Sequence, residues 1–490
     1  MSTRRRRPII DSTLVSIRRW ERFDDYVTLI DALLEDLYGG AAPIAPGGTV
    51  VIKPNITANA PSASGGTTHR ELVEGLVLAA RRWRPGRIVV AEGTGAFGPS
   101  HETAFPTGGW REMAARLGVE LYNLDAGEHV ERPLDKPRYP HPLPLSQLVL
   151  EADLFISVPL LKTHVSADYT VALKNSFALT PQATRSEIHR QYLLEEALVD
   201  INRVRTPDLI LVDGWDGAEG IAGGTDFERP GGARVMLAGT DPVAVDLISR
   251  ELMGLSMRTR YLEWAIAEGV GCGDRSRITV YGASPQGLCR PFMTPADELL
   301  QRMPGLTLMD CDACSGCRVS ALAALRRAHA ARLTEPLTVV YGGAETDQAS
   351  EGAVLYVGDC ASAHAGEHPS VPGCPPEAEA VHRALLEMGV VCQKCVAAAR
   401  EALQCLPPEA LARLRVTAAG EMVFAGPAFD FYQPHRAVIV GDCSADYARV
   451  VRERAPSLGM DPEGDVAFVT GCPATVTDIR RALLGAQGEK

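Results

Sequence analysis

Residues 154–164 read Leu-Phe-Ile-Ser-Val-Pro-Leu-Leu-Lys-Thr-His, an apolar run that ends in three polar side chains. Short runs of this kind, rich in β-branched residues, alternate with amphipathic helical patterns throughout residues 49–283. The other clear runs occupy residues 49–52, 87–90, 209–212 and 234–237. Strands that alternate with helices are typical of a mainly parallel sheet covered by helices. We therefore predict an α/β domain over residues 1–283.

The composition is that of a folded protein with several domains. Of its 490 residues, 46% are hydrophobic and 22% are charged, which excludes a disordered chain. The net charge of −12 argues against nucleic acid or an anionic membrane as the main partner. The arginines at residues 4–7 precede no apolar signal region, and no run reaches the roughly 18 apolar residues of a membrane-spanning helix. We expect a cytoplasmic protein.

The cysteines are concentrated towards the end of the sequence. Ten of the twelve lie between Cys311 and Cys472, and only Cys272 and Cys289 come earlier. Twelve cysteines in a chain of this length are too sparse for a disulfide scaffold. Clustering of this kind, without an export signal, indicates metal binding.

The cysteine-rich region contains an internal repeat. Each copy has a Cys-x-x-Cys motif that opens an Ala/Leu/Arg-rich helical pattern, then Val-Gly-Asp-Cys, then Gly-Cys-Pro. The matched segments are 314–317 with 392–395, 355–360 with 438–443, and 371–375 with 469–473. Self-similarity over this length indicates duplicated structural units. The predicted boundaries are a linker at 284–306 and duplicated α/β units at 307–388 and 389–490.

Each predicted unit offers four thiols, which suit one tetrahedral metal ion or one cluster. We name them the first cysteine set (Cys314, Cys317, Cys360 and Cys374) and the second cysteine set (Cys392, Cys395, Cys443 and Cys472). Zinc ribbons usually have two Cys-x-x-Cys motifs per site, whereas each unit here has one, so iron–sulfur clusters are favoured. Structural zinc and redox-active or merely buried thiols remain as alternatives. The remaining cysteines, for which burial is the simpler interpretation, are Cys272, Cys289, Cys311 and Cys405.

The first unit resembles the flavodoxin-like half of nickel–iron hydrogenase small subunits and the related subunit of respiratory complex I. In those proteins four cysteines hold one [4Fe-4S] cluster, so the resemblance implies two flavodoxin-like units with two [4Fe-4S] clusters. The second unit departs from the pattern. Ala474 follows its Gly-Cys-Pro motif, and 29 rather than 14 residues separate its third and fourth cysteines.

The predicted N-terminal domain also resembles a known family. The motifs that carry the resemblance are Lys53-Pro54-Asn55, Leu161-Lys162-Thr163-His164, Lys174-Asn175, Asp213-Gly214 and the Asp-Pro-Val-Ala-Val-Asp run at 241–246. Their order and spacing are similar to those of the domain-of-unknown-function 362 family, a large group of uncharacterised iron–sulfur proteins. The resemblance spans about residues 49–270 and implies a fold but no settled reaction.

Polar groups at the ends of parallel strands are placed where such sheets bind ligands. We predict that Lys53, Lys162, Lys174 and His164 surround an anion as hydrogen-bond donors. The neutral groups expected to add hydrogen bonds to it are Asn55, Thr163, Thr170 and Asn175. His164 is the expected general acid, with Lys162 and Asp246 beside it at the reacting centre. The structural alternative is that these cations pair with aspartates such as Asp213, Asp216, Asp241 and Asp246.

Three further residues or motifs have competing interpretations. Asp241 precedes a proline at the start of an apolar helix and is expected to cap it, which leaves Asp213 and Asp246 as the aspartates with a predicted site role. His189 shares a helical face with Arg185 and either reaches the pocket or faces solvent. The Gly-rich run 93–98 matches a dinucleotide fingerprint, but Pro99 and Pro106 follow it where a helix is needed, so no dinucleotide is expected.

These features together predict a reductase. Two clusters suit a relay of single electrons. A protein that only carries electrons does not need a separate polar pocket, so the pocket indicates a substrate. The expected partners are an anionic carboxylate or phosphate substrate and a low-potential electron donor such as a ferredoxin. A non-enzymatic electron-transfer or cluster-delivery protein remains an alternative. An isomerase or dehydratase using a cluster iron as Lewis acid would need an open iron site, which four cysteines per unit disfavour.

Overall fold

The structure is a computed structural model. It describes residues 13–484 except residues 57–61, 95–104, 106–108, 221–229, 329–332, 344–351, 391–393, 405–410, 412–413, 419–420, 426–434 and 472. The chain divides into two compact units, Met1–Phe292 and Met293–Lys490.

The first unit alternates strands and helices, as its sequence predicts. Its strands are β1 (Thr13–Arg19), β2 (Thr49–Pro54), β3 (Arg87–Glu92), β4 (Glu120–Asn123), β5 (His129–Glu131), β6 (Pro144–Ser146), β7 (Leu154–Val158), β8 (Lys162–His164), β9 (Asp168–Thr170), β10 (Leu209–Gly214), β11 (Gly217–Ala218), β12 (Pro230–Gly231), β13 (Val235–Gly239) and β14 (Ile278–Gly282). Its helices are α1 (Tyr26–Tyr38), α2 (Arg70–Arg81), α3 (Trp110–Leu117), α4 (Gln147–Glu151), α5 (Ala172–Asn175), α6 (Gln182–Arg190), α7 (Leu194–Val204), α8 (Pro242–Leu252), α9 (Arg260–Ala267) and α10 (Pro285–Leu288).

Eight of these strands form one sheet in the order β14-β1-β13-β10-β7-β2-β3-β4. Every neighbouring pair is parallel except those of β13, which runs antiparallel to both β1 and β10. The predicted mixed α/β fold with a mainly parallel sheet is therefore confirmed.

Hydrophobic clusters cover both faces of the sheet. Along β10, Ile210 and Val212 belong to one cluster, whereas Leu209 and Leu211 belong to the other. Successive side chains of a strand point to opposite faces, so a strand buried on both faces is apolar throughout. Helices α1–α3 contribute to the second cluster, and α7–α9 contribute to the first.

The parallel strands bring their carboxyl ends to one edge of the sheet. Lys53, near the end of β2, is paired in register with Ser157 of β7. The chain after β7 continues alongside β10, where the N–H of Leu161 donates to the carbonyl of Asp213 at 3.1 Å. The polar residues that follow β2, β7 and β10 are thus placed close together.

The second unit contains two four-stranded sheets. Its strands are β15 (Leu306–Cys311), β16 (Leu337–Gly342), β17 (Ala353–Val357), β18 (Ser370–Val371), β19 (Leu414–Ala418), β20 (Glu421–Ala425), β21 (Arg436–Val440) and β22 (Val466–Val469). Its helices are α11 (Pro295–Arg302), α12 (Ser315–Ala328), α13 (Asp359–Ser362), α14 (Ala378–Glu387), α15 (Lys394–Leu403), α16 (Ala445–Arg454) and α17 (Val476–Leu484). The first sheet, β15-β16-β17-β18, is parallel throughout. In the second, β20-β19-β21-β22, only β20 is antiparallel.

The stretch predicted as a linker, 284–306, contains two helices, α10 and α11. Pro285 and Pro295, which suggested a break in structure, each lie in the first turn of one of these helices. Proline is tolerated there because the first N–H groups of a helix have no intrahelical acceptor. Thr294 caps α11 by accepting a hydrogen bond from the N–H of Asp297 at 3.1 Å. The division between the two compact units falls after Phe292, inside this stretch.

Among the residues described above, no helix combines the length and apolar character needed to cross a membrane.

Candidate functional site

A buried ion pair lies at the carboxyl edge of the large sheet. The Lys53 Nζ atom is 2.8 Å from Oε1 of Glu92, and both side chains are almost completely buried. The same amine donates to Oδ1 of Asn175 at 3.2 Å. Burial lowers the pKa of Lys53 and raises the pKa of Glu92, while the charge of each partner opposes these shifts. Glu92 was not singled out from the sequence.

Lys53, Lys162 and Lys174 form one group, which we name the lysine cluster. Lys162 is 2% exposed, and its Nζ donates to the carbonyl of Gly66 at 3.5 Å. Burial, followed by the charge of Lys174, lowers the pKa of Lys162 to about 7. Burial and the charge of Lys53 lower the pKa of Lys174 to about 8. The three lysines thus lie near enough for their charges to interact, and their convergence on an anion stays a prediction.

Two histidines face the lysine cluster. Burial and the charges of Lys174 and Lys162 hold the pKa of His164 well below its usual range. Burial and the charges of Lys174 and Arg185 lower the pKa of His189 to about 3. His189, which is partly buried, therefore lies near enough to Lys174 and Arg185 for their charges to act on it. In the free protein both rings are neutral at pH 7, so an acid role for His164 requires a bound anion to raise its pKa.

A second buried ion pair lies beside the first. Arg185 is 2% exposed, and its Nη1 atom is 2.9 Å from Oδ1 of Asp125. The guanidinium also donates to the carbonyl of Thr94 at 2.6 Å and to that of Thr180. A Cβ atom on Gly93 would lie 3.1 Å from this guanidinium. A glycine at residue 93 thus gives Arg185 room to reach the strand end, whereas residues 95–98 of the Gly-rich run lie outside the described residues.

The side chains of the predicted neutral residues mainly form hydrogen bonds with other groups of the protein. Asn55 Nδ2 donates to the carbonyl of Gly66 at 3.1 Å, and Thr163 Oγ1 donates to that of Gly220 at 3.2 Å. Asn175 Nδ2 donates to Ser157 Oγ at 2.8 Å. These bonds fix the backbone around the lysine cluster. Among the predicted neutral groups, the buried Thr170 Oγ1 has no hydrogen-bond partner among the described residues.

Asp246 is a positioning residue in this structure. Its Oδ1 atom accepts a hydrogen bond from the N–H of Ala172, the first residue of α5, at 2.7 Å. Helix α5 carries Lys174 and Asn175, so Asp246 fixes the helix that presents them. Burial raises the pKa of Asp246 to about 8. By contrast, Asp241 caps α8 by accepting from the N–H groups of Val243 and Ala244, as predicted.

Asp213 binds a histidine that the sequence did not single out. Its Oδ2 atom lies 2.9 Å from Nδ1 of His69 and accepts from the backbone N–H of the same residue at 2.8 Å. Despite burial, the charge of Asp213 raises the pKa of His69 to about 10, with help from Asp216. The rings of Phe23, Trp20 and Trp215 pack together around this imidazole. Asp213 is therefore a partner of His69.

In the second unit, the four thiols of the first cysteine set lie near one another. Cys317 is buried, Cys314 is half-buried, and Cys360 and Cys374 are exposed. A hydrogen bond with Cys314, burial and the neighbouring thiols Cys374 and Cys360 raise the pKa of Cys317. Burial and the charges of Cys314 and Cys360 also raise the pKa of Cys374. Within the described part of the chain, however, no three His, Cys, Asp or Glu side chains are grouped so as to hold one metal ion.

The second cysteine set is described only in part. Cys395 is buried in α15, and its Sγ atom donates to the carbonyl of Gly471 at 3.9 Å. Cys443 lies in a short 3-10 helix at Asp442–Ser444. Cys392 and Cys472 lie outside the described residues. The bond from Cys395 places it beside the Gly-Cys-Pro segment predicted to supply a ligand.

The two Gly-Asp-Cys segments have the same local hydrogen bonds. The N–H of Gly373 donates to Oδ1 of Asp359 at 2.7 Å, and the N–H of Gly471 donates to Oδ1 of Asp442 at 2.7 Å. Each aspartate follows a glycine with positive φ, 96° at Gly358 and 94° at Gly441. The aspartate thus connects the segment before the third cysteine of each set to the segment before the fourth.

A curated relative is found for about half of the chain. A thylakoid-associated protein of Synechocystis sp. is 25% identical over 253 residues, which cover 50% of this chain and 76% of that protein.

Two solved structures were also found. The lactate racemase apoprotein of Thermoanaerobacterium thermosaccharolyticum has a TM-score of 0.29 at 11% identity, covering 74% of this chain and 87% of that one. A protein from Thermotoga maritima has a TM-score of 0.27 at 12% identity, covering 92% of this chain and 95% of that one.

The match to a protein family covers a shorter part of the chain. Residues 50–250, which contain the entire lysine cluster, match the family described as Domain of unknown function (DUF362).

Proposed function

We propose that this protein is an iron–sulfur oxidoreductase that reduces an anionic small molecule, a carboxylate or a phosphate. Two [4Fe-4S] clusters, held by the first and second cysteine sets, would relay single electrons from a low-potential donor such as a ferredoxin. The lysine cluster of the first unit would hold the substrate.

The proximity of the four thiols of the first cysteine set carries this proposal. Cys317 and Cys374 both respond to the charges of Cys314 and Cys360, although the four residues come from three separate segments. A [4Fe-4S] cluster takes one thiolate on each iron, so its ligands surround a group larger than a single ion. Thiolates grouped this closely repel one another, and a cationic metal centre bound to them would remove that repulsion.

The segments around the second cysteine set resemble those around the first cysteine set. Its Asp442–Gly471 hydrogen bond repeats the Asp359–Gly373 bond of the first unit, and Cys395 contacts Gly471. We propose that residues 307–388 and 389–490 are duplicated flavodoxin-like units. Helix α12 after Cys314, helix α15 after residue 393, and the parallel pairs β16–β17 and β19–β21 agree with this proposal.

The residues of the first unit have distinct roles in the proposal. Lys162 and Lys174 would bind the anion, while Glu92 and Asn175 hold Lys53 in place beside them. Nδ1 of His164 accepts a hydrogen bond from the N–H of Ser166 at 3.0 Å, so the neutral ring carries its proton on Nε2. A bound anion would raise the pKa of this imidazole and allow Nε2 to hold and donate a proton to the reduced substrate.

Anaerobic purification with iron and sulfide analysis tests the cluster assignment. We expect about eight irons per chain and a visible absorption that dithionite bleaches. Carboxylates and phosphates are then tested for their ability to restore the absorption of the dithionite-reduced protein. Stoichiometric zinc without visible absorption would overturn the redox proposal. Transfer of clusters to an apo-acceptor protein, without a response to any anion, would instead establish cluster delivery.

A further inference from the structure

We infer that the amine of Lys174 is a covalent nucleophile that forms an imine with the carbonyl carbon of an anionic carbonyl compound, such as a 2-oxo acid. The inference takes from the proposed function only the negative charge of the ligand. It does not depend on the clusters.

The three lysines differ in what their amines contact. Lys53 donates to Glu92, Asn175 and the carbonyl of Pro54. Lys162 donates to the carbonyl of Gly66. For Lys174, the structure records no hydrogen bond or ion pair within the described residues. Among the residues that the structure describes, no partner therefore competes with a carbonyl compound for the Lys174 amine.

The three lysines also differ in accessibility. Lys53 is 1% exposed and Lys162 is 2% exposed, so both amines are closed off by protein. Lys174 is only half-buried, on the short helix that Asp246 caps. A carbonyl compound therefore reaches Lys174 more easily than the other two, and the cap limits the movement of its backbone.

The surroundings of Lys174 favour the neutral, nucleophilic amine. Burial and the positive charge of Lys53 lower the pKa of Lys174 to about 8, and its charge in turn acts on Lys162, His164 and His189. At pH 7.5 an amine with this pKa is neutral about 200 times more often than an ordinary lysine. A desolvated lysine beside other cations is a recognised way of activating an amine for imine formation.

The same cluster would orient the ligand. The charge of Lys174 acts on the buried Lys162, so the two side chains lie close together, and a bound carboxylate would favour the charged, hydrogen-bond-donating form of Lys162. A 2-oxo acid has its carbonyl carbon directly bonded to the carboxylate. A carboxylate held near Lys162 would thus place the carbonyl carbon near the Lys174 amine.

The reaction is balanced without an added reagent. The nitrogen lone pair attacks the carbonyl carbon, and the electron pair of the C=O bond moves to oxygen, which takes a proton. The nitrogen then loses its protons while the oxygen departs as water, leaving a C=N bond. His164, whose Nε2 carries the ring proton, is placed to pass protons between nitrogen and oxygen.

Reductive trapping tests the inference on the full-length protein. The protein is incubated at pH 7.5 with glyoxylate or pyruvate and cyanoborohydride, which converts an imine into a stable secondary amine. Peptide mapping by mass spectrometry then locates the adduct. We expect at least about tenfold more labelling at Lys174 than at the exposed Lys136, and labelling at Lys174 that stops rising above about pH 8.

The variant Lys174→Arg keeps the positive charge and removes the nucleophile, so the labelling above that of Lys136 should disappear. The matched control Lys136→Arg should leave labelling at Lys174 unchanged. Wild-type protein labelled equally at Lys136 and Lys174, or labelled first at Lys162, would overturn the inference whether or not the variants fold. If the purified protein contains no iron and Lys174 is still trapped, the imine is supported and the redox proposal is wrong. If the protein contains iron and Lys174 is not trapped, the imine is wrong and the redox proposal stands.

Discussion

Nζ of Lys53 lies 2.8 Å from Oε1 of Glu92, and each of these buried groups provides the countercharge of the other. The carboxylate also accepts hydrogen bonds from the N–H groups of Ile56 at 3.1 Å and Gly93 at 2.8 Å. Removal of either partner would leave a buried charge without compensation.

Glu92→Gln should therefore lower the free energy of unfolding by about 3–5 kcal/mol, measured by urea denaturation at pH 7. The control is Glu120→Gln, which breaks the half-exposed Arg87–Glu120 pair and should cost less than about 1 kcal/mol. The double variant Lys53→Met/Glu92→Gln should recover part of the loss, because it removes the uncompensated charge and keeps a side-chain oxygen for the N–H groups of Ile56 and Gly93. Equal costs for Glu92→Gln and Glu120→Gln would contradict the importance of the buried pair.

The carboxyl of Asp246 predicts a specific dependence of stability on pH. The pKa of this group is about 8 in the folded protein and about 4 in the unfolded chain, so the folded protein binds more protons between these values. This group should therefore lower stability as pH rises from 4 to 8, by up to about 1.4 kcal/mol per pH unit. Asp246→Asn removes the titration, so its stability relative to wild type should improve from pH 5 to pH 8 in urea denaturation. If the difference in free energy of unfolding between Asp246→Asn and wild type does not change with pH, the pKa of Asp246 is not raised in the folded protein.

The two cysteine sets should lose their clusters independently. Cys360→Ser is expected to remove about four irons and leave the other cluster, and Cys443→Ser is expected to do the reverse. Iron and sulfide contents of the purified variants measure this. Cys272→Ser is the control that should keep all the iron, because Cys272 belongs to neither set. Complete loss of iron in either test variant would mean that ligands are shared or that the fold needs both metals.

Gly358 provides a steric test of the first cysteine set. A Cβ atom at this position would overlap Sγ of Cys317, and the φ of 96° is unfavourable for any other residue. Gly358→Ala should therefore displace Cys317 and lower iron content to about half. At Gly343 the nearest atom to an added Cβ is 3.8 Å away, on Cys360, so Gly343→Ala should retain full iron. If both variants keep their iron, Cys317 is not a ligand.

Lys162 should be needed for anion binding and unimportant for the clusters. Lys162→Met removes a charge that burial already disfavours, so we expect an unchanged melting temperature and iron content. Stabilisation by phosphate or a dicarboxylate in a thermal-shift assay should be lost, since removing a buried charged partner costs about 2–5 kcal/mol of binding. The exposed Lys136→Met serves as the control. An unfolded or iron-free Lys162→Met protein would identify Lys162 as structural.

The sequence predicted the parts of the site that follow from strand periodicity. Alternation of apolar runs and helices predicted the mainly parallel sheet, and in such a sheet the residues after neighbouring strands share an edge. Lys53 and Lys162 could therefore be placed together. Asp241 was predictable as a cap because the signal, Asp-Pro before an apolar helix, is local.

The residues that were missed depend on contacts distant in sequence. Glu92 meets Lys53 only because β2 and β3 are paired, although 39 residues separate the two side chains. His69 and Asp213 are 144 residues apart, and no local pattern identifies them as a pair. The prolines of residues 284–306 suggested a linker, but Pro285 and Pro295 lie in the first turns of helices.

The position of β1 in the sheet has a consequence for synthesis of the chain. Its two neighbours, β13 and β14, follow it by more than 200 residues. At about 5–20 residues per second, a ribosome needs roughly 10–40 s to make the intervening chain. During that time the strand Thr13–Arg19 has neither of its native partners, and its unpaired edges are open to aggregation or to a chaperone. The large sheet is completed only when the nascent chain has emerged beyond Gly282.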